Sequence, residues 1–196
     1  MSSATLAELA QRIREIEAGE RPLVQTTIPC APLADLLPEG GLPTGSLIEL
    51  LSAQAGSGAW TLALLLARLA CGERRSLVIA DAQHTFYPPA AARLGIDLAR
   101  MLILRPTRHE PILAALVQSL RCPAIGAVIG RFERLTAAEY RALQLAAQSG
   151  GGVGFLLRPA SMSGVPSFAD VRFAVLPSPP RGRGVGGEGA APARHL

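Results

Sequence analysis

The chain has 196 residues, 49% of them hydrophobic, with a formal net charge of +4 and three cysteines. That is enough for one domain with a substantial core. Mild basicity permits nucleic-acid contact without requiring it; all 19 basic residues are arginine, so no lysine is available to any site.

Thr5 followed by Glu8 is a capping-box signature. Leu6, Leu9, Ile13 and Ile16 then recur at spacings of three and four, one apolar helix stripe that Gly19 and Pro22 bring to an end. The stripe either folds back on its own domain or docks on a neighbour. Residues 23–37 read as a connector limited by Pro29 and Pro32, and Gly40-Gly41-Leu42-Pro43-Thr44-Gly45 as a tight turn. Residues 47–51 are the first core strand. A small-residue loop follows, then an apolar helix over 62–71.

Leu77-Val78-Ile79-Ala80 is an unbroken apolar run, which suits a parallel sheet covered on both faces. Asp81-Ala82-Gln83-His84 lies at its carboxyl end, where open α/β sheets place ligand contacts. Pro88 and Pro89 open a short helix ending at Gly95. A strand is predicted over 102–104, a helix over 111–120 and a strand over 125–129. A helix capped by Thr136 and Glu139 runs to Gly150, and strands over 153–157 and 171–176 complete the pattern. Repeated alternation of strand and helix predicts an α/β fold, a doubly wound and mostly parallel sheet with helices on both faces. Residues 1–22 form the N-terminal helix and linker, 23–176 the core. Residues 177–196 form a Pro/Gly/Arg tail with little to bury and an expectation of disorder.

The stretch from Leu47 to Leu66 has the layout of a phosphate-binding loop: strand, glycine-bearing turn, helix N-terminus. Gly56, Ser57 and Gly58 are the candidate phosphate-loop residues. With Gly58 as the second glycine of G-x-x-x-x-G-K-[ST], Ala53 takes the first glycine's place, Ala59 the lysine's and Trp60 the Ser/Thr's. The lysine grips β and γ phosphates and the hydroxyl holds Mg²⁺; an alanine and an indole do neither. Thr61 supplies a hydroxyl only if the loop holds one more residue. Trp60 either packs where nucleotide would sit or stacks on a base. No cofactor beyond weak anion or nucleotide binding is expected, and no metal site.

Cys30, Cys71 and Cys122 are far apart in sequence and read as buried small hydrophobes in a reducing compartment. The N-terminus lacks the apolar core of a signal peptide, and the longest apolar run, Trp60 to Ala67, is too short to span a bilayer. A cytoplasmic location follows as the expectation. His84 reads as a turn residue beside the sheet or a site residue, and His109 and His195 as exposed.

Gly40-Gly41-Leu42-Pro43 before Leu47-Ile48-Glu49 resembles the entry to the RecA phosphate loop. Ile79-Ala80-Asp81-Ala82-Gln83-His84, with Pro88 and Ala92-Arg93-Leu94-Gly95-Ile96-Asp97, is similar to the RecA segment after its second core strand. Within that superfamily, Leu36-Leu37-Pro38, Tyr87-Pro88-Pro89-Ala90, Leu143-Gln144-Leu145-Ala146-Ala147 and Leu156-Leu157-Arg158-Pro159 resemble the ImuA family of bacterial mutagenesis cassettes. The resemblance implies a RecA-like core and places a catalytic glutamate at Gln83 and a metal-supporting aspartate at Gly130, both absent here. Only Arg131–Leu135 and Pro159–Ser167 remain where RecA carries its DNA-binding loops.

The resemblance thus implies a non-catalytic accessory protein in SOS translesion synthesis and mutagenesis. It would dock on RecA, on the Y-family polymerase relative ImuB, or on both, with an error-prone C-family polymerase reached indirectly. The N-terminal stripe is the expected docking element. A divergent ATP-dependent, DNA-binding recombinase and a damage-induced cell-division inhibitor stand as the alternatives.

Overall fold

Six strands line up in one sheet, the inner four largely buried on both faces and the two edge strands partly exposed. In the computed structural model, residues 26–53 and 56–177 are described. The stripe Leu6, Leu9, Ile13 and Ile16 and the tail beyond residue 177 lie outside them.

The sheet comprises β3 (Leu47–Ser52), β4 (Ser76–Ala80), β5 (Met101–Leu104), β6 (Ile125–Arg131), β7 (Val153–Pro159) and β8 (Val171–Val175). The spatial order is β5-β4-β6-β7-β3-β8, and every neighbouring pair is parallel. The expected doubly wound α/β fold is the one observed.

Helix α1 (Ala59–Cys71) covers one face, where Ile48, Leu50, Ile129, Phe155 and Leu157 pack with its Ala63, Leu66 and Ala67. The short α2 (Pro88–Arg93) adds Ala91 to the same core. Helices α3 (His109–Leu120) and α4 (Ala137–Gly150) cover the other face, joining Leu116, Leu120, Tyr140 and Leu143 to Leu47, Val128 and Leu156. Adjacent strand residues thus feed opposite cores, the period-two rule applied to strands buried on both sides.

Boundaries depart from the sequence expectation in explicable places. Helix α1 begins at Ala59, three residues before the apolar run, because Gly58 at φ 90° turns the chain directly into the helix. Helix α3 begins at His109, which puts Pro111 in the first turn, where its missing N–H costs nothing. The connector and turn need a larger correction. Residues Thr27–Pro29 (β1) and Gly41–Pro43 (β2) form a small antiparallel ladder, bridged by two 3-10 turns at Ala31–Leu36 and Pro38–Gly40. Gly41 permits it: a Cβ there would stand 2.4 Å from the Ile28 carbonyl oxygen. Among the described residues no helix is long and apolar enough to cross a membrane.

Candidate functional site

A cleft of about 520 Å³ opens at the carboxyl end of the sheet, against the start of α1. Its floor is the turn after β3. Gly56 and Gly58 both sit at positive φ, 80° and 90°, so the chain curls as a phosphate loop does. Ser57 is buried, and its hydroxyl lies 2.7 Å from that of Ser52, so it closes the loop on itself. Ala59 is the first helical residue and 4% exposed; Trp60 is the second. Position 59 therefore presents a methyl group where an ammonium belongs. Thr61, at the third position, lines the cleft without replacing that charge. Trp60 lines the cleft and packs on Phe86, ring centroids 5.9 Å apart and planes tilted by 40°.

The turn after β4 forms the opposite wall. Asp81, 3% exposed, accepts the Thr85 and Phe86 backbone N–H groups on Oδ1, and its Oδ2 faces Arg105 Nε at 3.5 Å. Its role is to shape the turn. His84 is exposed there at φ 55°, a turn residue as one of its two readings had it. Gln83 lines the cleft, and its Oε1 accepts a hydrogen bond of 3.2 Å from Arg131 Nη1.

Arg131 comes from the end of β6 and is the residue of that strand end that enters the cleft. Gly130 faces away from it. A Cβ at position 130 would stand 2.6 Å from Leu116 Cδ1 and 2.8 Å from Phe132 Cε2, both members of the α3/α4 core. No Asp or Glu is among the described residues lining the cleft. These residues do not fit a Mg·ATP site of this loop type: the cleft offers a methyl at 59, an indole at 60, the Gln83 amide and the Arg131 guanidinium, and no ammonium or carboxylate among its described lining.

The ionic chemistry lies on the other face of the sheet. Glu49 is fully buried in β3. Its Oε1 accepts from Tyr140 Oη at 2.9 Å and from Arg158 Nη1 at 2.8 Å, and its Oε2 is in ion-pair contact with Arg172 Nε at 2.8 Å. Burial pushes the Glu49 pKa up, but hydrogen bonds from Ser167, Arg158 and Tyr140 and the Arg158 charge more than offset it, holding the carboxyl below its ordinary value. Arg158 Nη2 reaches the Glu133 carbonyl, while Arg172 donates to the carbonyls of Met162, Ser163 and Val165. The cluster thereby ties down the segments that follow β6 and β7. Those segments meet around a groove of about 830 Å³ lined by Phe132, Leu135, Met162 and Val165 among others.

Sequence reasoning missed this cluster, and its one available signal was a lone glutamate inside an apolar strand. It also missed a contact of His109. That residue is exposed as expected, yet its Nε2 pairs with Glu139 Oε1 at 2.7 Å and its ring stands edge-on to Phe132. The Thr136 backbone N–H, followed by His109, holds the Glu139 carboxyl below its ordinary value against a burial effect of opposite sign. The cysteines are free. Cys30 is buried as expected; Cys71 is only part-buried, though burial still pushes its thiol up to about 11; and Cys122 is exposed, because it follows α3 where the chain turns at the surface.

Parts of the chain are similar to known proteins. Over 90 residues the chain is 36% identical to protein RecA of Chlorobium chlorochromatii, covering 46% of this chain and 25% of that one. It is 32% identical over 117 residues to RecA of a Nostoc species, 60% of this chain and 32% of that one. It is 35% identical over 116 residues to RecA of Thermus thermophilus, 57% and 33%. The core is RecA-like. The chain spans a third or less of the length of these relatives. No protein-family model matches it. Among solved structures, the crystal structure of SulA from Pseudomonas aeruginosa is 24% identical, with 57% of this chain and 97% of that one covered and a TM-score of 0.48.

Proposed function

We propose that the chain is a non-catalytic RecA-like accessory protein of the ImuA kind. It acts in damage-induced translesion synthesis by docking on RecA, on ImuB, or on both, and hydrolyses nothing. One observation carries the reading: the cleft of a RecA-like sheet lined by Ala59, Trp60, Gln83 and Arg131 and, among its described residues, by no carboxylate. The ImuA-like motifs support the pathway, and the amphipathic stripe Leu6, Leu9, Ile13 and Ile16 supports docking as the mode of action.

The energetics point the same way. Gly58 stands at the N-terminal, positive end of α1, whose dipole is worth roughly 0.3–1 kcal/mol to an anion at an exposed site. Micromolar Mg·ATP binding requires near −8 kcal/mol. Without the lysine charge and metal support that gap stays open.

Two measurements test the reading. Purified protein, with and without single-stranded DNA, is assayed for ATP hydrolysis and titrated with Mg·ATP; no turnover above buffer and no micromolar binding are expected. A DNA-stimulated rate that Gly58→Val abolishes would overturn the proposal in favour of a divergent recombinase. In parallel, Leu9→Glu with Ile13→Glu is expected to end co-purification with RecA or ImuB while the core melts as before. Binding that survives the pair reduces the stripe to packing on its own domain.

A further inference from the structure

The cleft has changed character in two independent respects. Its lining is aromatic and aliphatic: Trp60 packs at a tilt on Phe86, Tyr87 stands exposed beside them, and Leu64, Leu94 and Leu157 supply the apolar wall. Its charge is of one sign. The positive end of α1 opens into it, Arg131 lies at its rim, and no Asp or Glu is among the described residues lining it. Asp81 and Glu133 line an adjoining hollow of about 100 Å³ instead, and Asp81 is engaged by two backbone N–H groups and Arg105. A volume of about 520 Å³ is within the range, about 300–1,000 Å³, of pockets that bury most of a ligand.

We propose that this cleft is a docking site for a partner's peptide segment in which an aliphatic or aromatic side chain lies beside an aspartate or glutamate. The apolar side chain enters among Trp60, Phe86 and Leu94. The carboxylate takes the backbone N–H groups at the start of α1 and the Arg131 guanidinium, which exchanges its contact with the neutral Gln83 amide for a charged acceptor. Charge complementarity selects an acidic segment over a basic one, and the aromatic lining supplies the anchor pocket that peptide recognition uses. The inference rests on the non-catalytic reading, because a cleft that cycled Mg·ATP would not be free to hold a peptide.

Trp60 is the single tryptophan, so its emission reports on the cleft directly. A phage-displayed random dodecapeptide library is panned on the full chain and counter-selected on Arg131→Glu and Phe86→Ala. Arg131 is exposed, so its variant is expected to keep the wild-type melting curve. Enriched sequences should pair an apolar anchor with Asp or Glu. The synthetic winner should shift Trp60 emission to saturation and lose about tenfold or more in affinity when its acid becomes lysine or when Arg131→Glu is the host. No enrichment, winners rich in Lys and Arg, equal binding to both variants, or unmoved Trp60 emission would each overturn the docking site. ATP hydrolysis by the same preparation sinks the non-catalytic reading; failed enrichment without hydrolysis sinks the docking site alone.

Discussion

The two faces of the sheet at its carboxyl end invert the distribution of charge that a phosphate-handling site requires. On the α1 face, which opens to solvent at the cleft, the described lining holds aromatic rings and arginine but no carboxylate and no ammonium. On the α3/α4 face, two guanidinium groups and a phenol are packed around the fully buried Glu49 carboxylate, with the Arg172 side chain a quarter exposed. A solvated cleft loses charges without structural penalty. A buried cluster cannot lose one member, since the remainder would be left desolvated and unpaired. The difference indicates where this chain is built to hold shape and where it is free to change surface chemistry.

The largest effect that would test this contrast comes from Glu49→Gln. It removes the charge from a fully buried position and strands Arg158 and Arg172, so a loss of about 3–5 kcal/mol is expected, measured by urea unfolding. Because Arg172 holds the carbonyls of Met162, Ser163 and Val165, amide exchange of residues 160–168 should also rise. A loss below about 1 kcal/mol would mean that the cluster is replaceable and the contrast false.

The pH profile sharpens the same point. Glu49 is held below its ordinary value of 4.5 in the folded chain. Its contribution is therefore complete above about 4.5, where the unfolded carboxyl is ionised, and is lost as pH falls through the lower folded value. Unfolding measured between neutral and acid pH should show the gap between the parent chain and Glu49→Gln narrowing below that point. A gap that stays constant with pH would show that the carboxylate is not the source.

The smallest effect belongs to the cleft. Trp60→Phe keeps a ring against Phe86, and Trp60 is only half-buried, so a change under about 1 kcal/mol is expected in the same urea titration. A cost comparable to that of Glu49→Gln would make the cleft a structural element and remove the distinction between the faces.

Much of this molecule was legible in its sequence. Apolar runs such as Leu77–Ala80 and Ile125–Ile129 announced buried parallel strands, Thr136 with Glu139 announced a helix start, and the capping box is formed as read. The departure of residues 53–60 from the phosphate-loop pattern was readable because that pattern sets residue types at fixed short spacing. The β1–β2 ladder was not, because three-residue strands bounded by proline carry no periodic signal.

What the sequence determined by itself is local: element type, the glycines that turn the loop after β3, and the absence of any lysine to act there. Tertiary structure alone decided the rest. The parallel register of β3 with β7 and β8 brings Glu49 to Arg158 and Arg172, and Tyr140 lies 91 residues from it along the chain. The pleat likewise turns Gly130 into the α3/α4 core and Arg131 into the cleft. Such pairings follow from which strands adjoin and which way each residue points, and no spacing along the chain encodes either for residues so far apart.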